Sequence, residues 1–126
     1  LGGMFHCLDA RTGRVLWKRD FAREFWGADP NPLADNGHPV CGAAASALAD
    51  GDTVVIPVGG PKGGSLAAFD RRTGAVRWKA LDDRSSYASP LLAEIAGVRQ
   101  WVAFTGKRMV GLDAATRALL WEHPFK

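Results

Sequence analysis

Apolar and polar positions alternate with a period of two along much of the chain. Phe5, Cys7 and Asp9 fall on one face of the first such segment, with His6 and Leu8 on the other. A few residues later Val15 and Trp17 share a face, and Leu16 and Lys18 share the opposite one. Period two over this length predicts strands rather than helix. The Asp-x-x-Thr-Gly segment between them predicts a tight hairpin. Asp9 and Thr12 can bond back to turn amides, and Gly13 supplies the positive φ that a bulged hairpin needs.

This unit occurs three times. Leu8-Asp9-Ala10-Arg11-Thr12-Gly13 followed by Trp17 returns as Phe69-Asp70-Arg71-Arg72-Thr73-Gly74 with Trp78. The third copy is Leu112-Asp113-Ala114-Ala115-Thr116-Arg117 with Trp121, where Arg117 replaces the glycine. A left-handed Arg costs about 1 kcal/mol, so this turn either differs or carries that strain. The three Asp residues stand 61 and 43 residues apart. Periods of about 40–45 residues with several strands each are the mark of propeller blades. The longer interval is one period plus an insertion of about 18 residues on that rule. The expected fold is therefore all-β: a partial β-propeller of four-stranded antiparallel blades, about two and a half of them. The outer hairpin of one blade covers 3–21, an insertion 22–41, one blade 42–81 and another 86–125. Closed propellers use roughly 4–8 blades, so the expectation is a portion of a longer protein, or several chains completing a ring.

The insertion divides in two. Phe21, Phe25 and Trp26 fall on one side of one or two helical turns, with Gly27 as a stop. A Pro- and Asn-rich loop follows. Loops on a rigid scaffold often carry binding groups, which makes Trp26, Asp35, Asn36 and His38 candidate partner contacts; the alternative is a lid packed on the propeller. Asp35-Asn36-Gly37 is too short for a calcium loop. Small residues at 41–49 predict an innermost strand, where blades crowd the axis. Pro57 marks an edge or bulge in the next strand. Gly59-Gly60-Pro61-Lys62-Gly63-Gly64 lacks the phosphate-loop pattern and reads as a connection. The crossing between the two full blades puts Ser85, Ser86 and Tyr87 at the channel rim, within reach of a ligand or in purely structural roles.

Composition narrows the functional classes. The net charge of +3 is spread over the turns and favours anionic partners only weakly. Arg71, Arg72, Arg77 and Lys79 near Trp78 read as solvated turn residues, without a recognition helix, so nucleic-acid binding is not expected. No apolar run is long enough for a membrane span. Cys7 and Cys41 belong to different blades and read as two buried thiols, and His6 as a sheet-face residue. No serine elbow or paired acids suggest hydrolysis.

The three-copy pattern resembles the pyrroloquinoline-quinone (PQQ)-type β-propeller repeats, also found in quinoprotein alcohol dehydrogenases. The repeat pattern falls on Cys7, Asp9, Gly13, Arg14 and Trp17. It falls again on Ala68, Asp70, Gly74, Ala75 and Trp78, and on Gly111, Asp113, Arg117, Ala118 and Trp121. The resemblance implies that each Trp docks on the neighbouring blade, between a small residue and a turn Gly. Asp9, Gly13, Trp17, Asp70, Gly74, Trp78, Asp113 and Trp121 then form a docking motif, with Trp121 lacking a later blade. For function the resemblance implies a scaffold that binds protein or peptide partners in a periplasmic or otherwise exported protein, as in outer-membrane assembly lipoproteins. The alternative it implies is part of a PQQ-dependent dehydrogenase whose catalytic blades, with PQQ and calcium, lie outside this stretch. A sensor domain is a third. No catalytic residue, metal set or cofactor site is evident within the chain itself, and one fold carries many functions.

Overall fold

The computed structural model describes residues 3–26, 44–60 and 63–125. Ten strands form three antiparallel sheets. β1 (Met4–Leu8) and β2 (Val15–Asp20) make a hairpin. β3 (Leu48–Asp50), β4 (Thr53–Ile56), β5 (Leu66–Asp70) and β6 (Val76–Ala80) form a four-stranded meander. β7 (Leu91–Ile95), β8 (Val98–Phe104), β9 (Arg108–Asp113) and β10 (Leu119–Pro124) repeat it. This is the all-β arrangement of partial propeller blades expected from the period.

The three Asp-x-x-Thr turns share one hydrogen-bond pattern. Asp9 Oδ1 accepts from the amides of Arg11 and Thr12, at 3.0 and 2.9 Å. Asp70 does the same with Arg72 and Thr73, and Asp113 with Ala115 and Thr116. The amides of Gly13, Gly74 and Arg117 each donate to their Asp carbonyl at 2.8 Å. A register shift follows each copy, as a bulged hairpin requires. Arg117 keeps the turn and takes the strain: its φ is 64°, beside 72° at Gly13 and 75° at Gly74. Of the two outcomes left open by the sequence, the strained one is realised.

The innermost strand departs from expectation. Of the described residues in the small-residue run, Ala44–Ala47 are not in a strand, and β3 begins only at Leu48. Leu48 pairs with Val55, and β4 ends at Ile56. The next residue, Pro57, has no N–H to extend the ladder, so it ends the strand rather than bulging it. The preceding backbone is held differently: Ser46 N–H donates to Ser89 Oγ at 2.9 Å.

Two apolar clusters separate the three sheets. The first joins Phe21, Phe25 and Trp26 to Ile56, Val58, Ala67 and Phe69, with Phe5 and Trp17 packed on it. The second joins Val55, Leu66 and Ala68 to Trp101, Ala103, Val110 and Leu112, with Trp78 and Leu92 beside it. Alternate residues of β5 therefore face opposite neighbours, which is why all five of its positions are buried.

Candidate functional site

The turns between β1 and β2, β5 and β6, and β9 and β10 lie at one end of the sheets. The strands' other ends carry residues 57–65, the crossing 81–90 and the turn 105–107. The helical segment after β2 belongs with these connections. It is a single π-helical turn, Ala22–Trp26.

That turn explains the Gly-rich loop. Trp26 is 6% exposed, and its indole N–H donates to the Val58 carbonyl at 2.9 Å. A Cβ on Gly60 would lie 2.6 Å from the Phe25 carbonyl, and one on Gly64 would lie 2.4 Å from the Phe25 ring. Both distances are too short for any side chain, so these glycines clear a seat for Phe25 and Trp26. Trp26, a candidate contact by sequence, is thus placed in the core and offers no open face to a partner. The candidates Asp35, Asn36 and His38 lie outside the described residues, as does Cys41.

Ser85 and Ser86 have committed hydroxyls. Ser85 Oγ donates to the carbonyls of Pro57, at 3.3 Å, and Ser86, at 2.9 Å. Ser86 Oγ donates to the Phe104 carbonyl at 2.7 Å. Ser85 also bridges to Thr105, and Gly59 leaves no room for a Cβ beside it. These bonds pin the crossing to both full sheets. Tyr87, which follows them, is 51% exposed. The structure thus presents one aromatic side chain on a fixed backbone.

The strongest electrostatic feature of this end is a residue that the sequence did not single out. Asp83 is 2% exposed and binds Arg108 Nε at 2.7 Å, with Lys107 Nζ at 3.6 Å. Arg108 also pairs with Glu122. Burial pushes the Asp83 carboxyl up, but its bonds to Arg108 and Thr105 and the charges of Arg108 and Lys107 outweigh this and hold it below the usual carboxylate value. Arg108 is raised by its bonds to Asp83 and then Glu122. A lone Asp, its partner 25 residues on, carries no motif; its only sequence signal is its place in a blade crossing.

The docking residues are placed as follows. Trp17 stands opposite Cys7 in its own hairpin and reaches the next turn. Its indole N–H donates to the Arg71 carbonyl at 2.9 Å, and a Cβ on Gly74 would lie 2.6 Å from the ring. Trp78 stands opposite Ala68 and leans on Trp101, ring centroids 6.2 Å apart. It makes no counterpart of Trp17's hydrogen bond among the described residues. Trp121 lies over Gly111 and donates to Gln100 Oε1 at 2.7 Å. Asp70 carries an extra partner, Arg77 at 2.5 Å. The Thr73 amide, then Arg77, lower its pKa to about 2. Asp9 and Asp113 are lowered by their turn bonds, chiefly those with Thr12 and Thr116. Of the basic residues near Trp78, Arg77 is therefore paired, and Lys79 lies 5.6 Å above the Phe25 ring.

Among the described residues there is no group of three or more His, Cys, Asp or Glu side chains able to hold a metal ion. Cys7 is a free thiol, its Sγ 4.0 Å from the Arg71 carbonyl. Among the described residues no helix is long and apolar enough to cross a membrane.

No curated protein matches the chain. The family model described as outer membrane protein assembly factor BamB matches residues 1–126. Together with the three blade-like sheets and the thrice-repeated turn, that match over the full sequence assigns the chain to the PQQ-like β-propeller repeat family of outer membrane protein assembly factor BamB.

Proposed function

We propose that this chain is part of a non-catalytic β-propeller that binds a protein or peptide partner, in a periplasmic or otherwise exported protein. The observation that carries the reading is the family match across the whole sequence. The geometry supports it: Tyr87 is exposed on a crossing tied to both full sheets by Ser85 and Ser86. An aromatic ring on a rigid backbone contributes contact area at little entropic cost. The reading gives the described blades no cofactor of their own.

The test places a photocrosslinking residue at position 87 and, as a control, at exposed Thr116 on the opposite end. In the native host, the expected result is a discrete envelope-protein adduct from position 87 and none from 116. Equal adducts, or none, would overturn the partner reading, and recovery from the cytoplasmic fraction would overturn the export. A titration with PQQ and calcium, followed by quinone absorbance, is expected to leave the spectrum unchanged. Stoichiometric quinone binding would favour the dehydrogenase instead.

A further inference from the structure

The turn end of the β3–β6 sheet carries a charged cavity. Its volume is about 440 Å³, and Asp52, Asp70, Arg71, Arg72 and Arg77 line it. That is within the size range of small-ligand and side-chain pockets. All five residues belong to the central sheet, which packs on the hairpin side and on the β7–β10 side. The backbone beneath the cavity is fixed. The Arg71 N–H donates to the Asp52 carbonyl at 2.8 Å, which ties the β5–β6 turn to the β3–β4 turn. The Arg71 carbonyl accepts from the Trp17 indole at 2.9 Å, and the amides of Arg72 and Thr73 donate to Asp70 Oδ1, both at 2.9 Å.

The charges divide into a paired and an unpaired set. The Asp70 side chain is 12% exposed, and its Oδ2 accepts from Arg77 at 2.5 Å. Arg71, Arg72 and Asp52 are exposed, and among the described residues their charged groups have no hydrogen bond or ion pair. The turn itself does not require these arginines. Where the central copy has Arg71, Arg72 and Arg77, the first has Ala10, Arg11 and Leu16, and the third has Ala114, Ala115 and Leu120. Both of those turns form the same aspartate–amide bonds. Two unpaired guanidinium groups on adjacent, clamped residues beside a cavity therefore have no structural use in the hairpin.

We propose that this cavity binds an acidic peptide segment, with Arg71 and Arg72 taking a side-chain carboxylate and Asp52 accepting an amide N–H of the same segment. The guanidinium fork matches the two oxygens of a carboxylate, and it matches phosphate as well. The sign pattern decides between them. The unpaired set is two cations and one anion. Asp52 would repel a phosphate dianion, which has no N–H to offer it, whereas a peptide brings a carboxylate and an amide donor together. This inference goes beyond the partner reading, which rests on Tyr87 at the opposite end of the sheets, so either can fail without the other.

Fluorescence anisotropy of the purified protein with a labelled peptide of alternating Asp and Gly residues tests it. Saturable binding is expected, and none to the same peptide with Asn in place of Asp. Arg71→Gln and Arg72→Gln keep the turn amides. Each is expected to weaken binding about tenfold or more, the effect of losing a charge-assisted hydrogen bond. Arg11→Gln, at the matching exposed position of the first turn, is expected to leave binding unchanged. Asp52→Ala separates this ligand from a simple anion: peptide binding should weaken, whereas a phosphate site would tighten on losing a negative charge. In the wild type, the amide signals of Arg71 and Arg72 should shift in ¹H–¹⁵N spectra as peptide is added, while those of Ala115 and Thr116 stay put. That readout needs no variant to fold. Absence of saturable binding would overturn the proposal. So would an equal loss in Arg11→Gln, tighter binding in Asp52→Ala, or displacement of the peptide by inorganic phosphate.

Discussion

The two junctions between the three sheets solve one packing problem with different parts. Between hairpin and second sheet the contact is aromatic and directional. Phe5 stacks on Phe21 at 5.3 Å, Phe21 on Phe69 at 5.5 Å, and Phe25 meets Phe69 edge-on at 6.2 Å. Trp17 adds a ring-on-glycine contact and a hydrogen bond. Between second and third sheets the contact is largely aliphatic: Val55, Leu66, Ala68, Ala103, Val110 and Leu112 surround one buried indole, Trp101. The turn residue that would receive Trp78 is Arg117, and among the described residues Trp78 makes no such hydrogen bond. Ion pairs tie this junction instead, Arg99 to Asp50 at 2.7 Å and Arg108 to Asp83. Once a turn gives up its glycine, apolar burial and charge replace indole geometry as the means of fixing one sheet on the next.

The largest expected effect is at Trp101, 2% exposed at the centre of the second junction. Trp101→Ala should cost about 3–5 kcal/mol, the usual range for truncating a fully buried large aromatic. Trp78→Ala, at a half-buried ring, should cost clearly less. Urea denaturation of both variants checks this. Equal losses would mean that Trp78 pins the junction as Trp17 pins the first, and the contrast between them would fail.

Next comes the buried charge. Asp83→Asn leaves Arg108 with Glu122 alone and should cost about 1–3 kcal/mol, the range for a broken charge-assisted bond near the interior. Asp83 is held below its ordinary pKa, so its stabilisation is complete above the ordinary carboxylate range. It is lost as pH falls through the lowered value. Asp70 behaves likewise, losing its contribution between its ordinary 3.8 and about 2. Stability measured from pH 6 downward should therefore hold until pH is below about 4 and then fall, more shallowly in Asp83→Asn. A variant whose acid limb matches the wild type would remove Asp83 from the account of the second junction.

Gly74→Ala acts on the first junction alone. It forces a Cβ into the Trp17 ring and a side chain into positive φ, for a loss of about 1–2 kcal/mol. The same change at Gly13 meets no atom within 4 Å and should carry only the backbone part of that loss. Thermal melts of the pair separate conformational strain from displacement of the indole.

How much of this the sequence disclosed follows from the range of each interaction. The turn pattern is local: Asp, Thr and Gly satisfy one another within five residues, so three copies and their spacing were enough to reach the sheets. The seat for Phe25 and Trp26 was not legible, because it joins residues some 35 apart and depends on glycines whose meaning is what they lack. From the sequence Trp26 reads either as a candidate contact or as part of a lid packed on the propeller, and the structure packs it in the core. Asp83 was missed for a similar reason, since one Asp in a crossing looks like any solvated acid until Arg108 arrives beside it. The late start of β3 was half legible: Pro57 was noticed, but its effect falls on the partner strand. Arg117 was visible as an exception, while the choice between a new turn and a strained one rested on the surrounding hairpin.

The smallest effect probes the comparison most directly. Arg117 holds φ at 64°, a conformation Gly adopts without strain. Arg117→Gly relieves that strain but frees the unfolded chain, so the net gain should be at most about 1 kcal/mol. The structural response is the sharper readout. If glycine alone defines the seat, Trp78 should move onto the new Gly and donate its indole N–H to the Ala114 carbonyl, as Trp17 does to Arg71. The Trp78 indole proton should then gain protection from exchange and shift in an ¹H–¹⁵N spectrum. If that resonance stays put while the melting temperature rises, the Trp101 packing holds Trp78 where it is. The difference between the junctions would then lie in their cores and not in their turns.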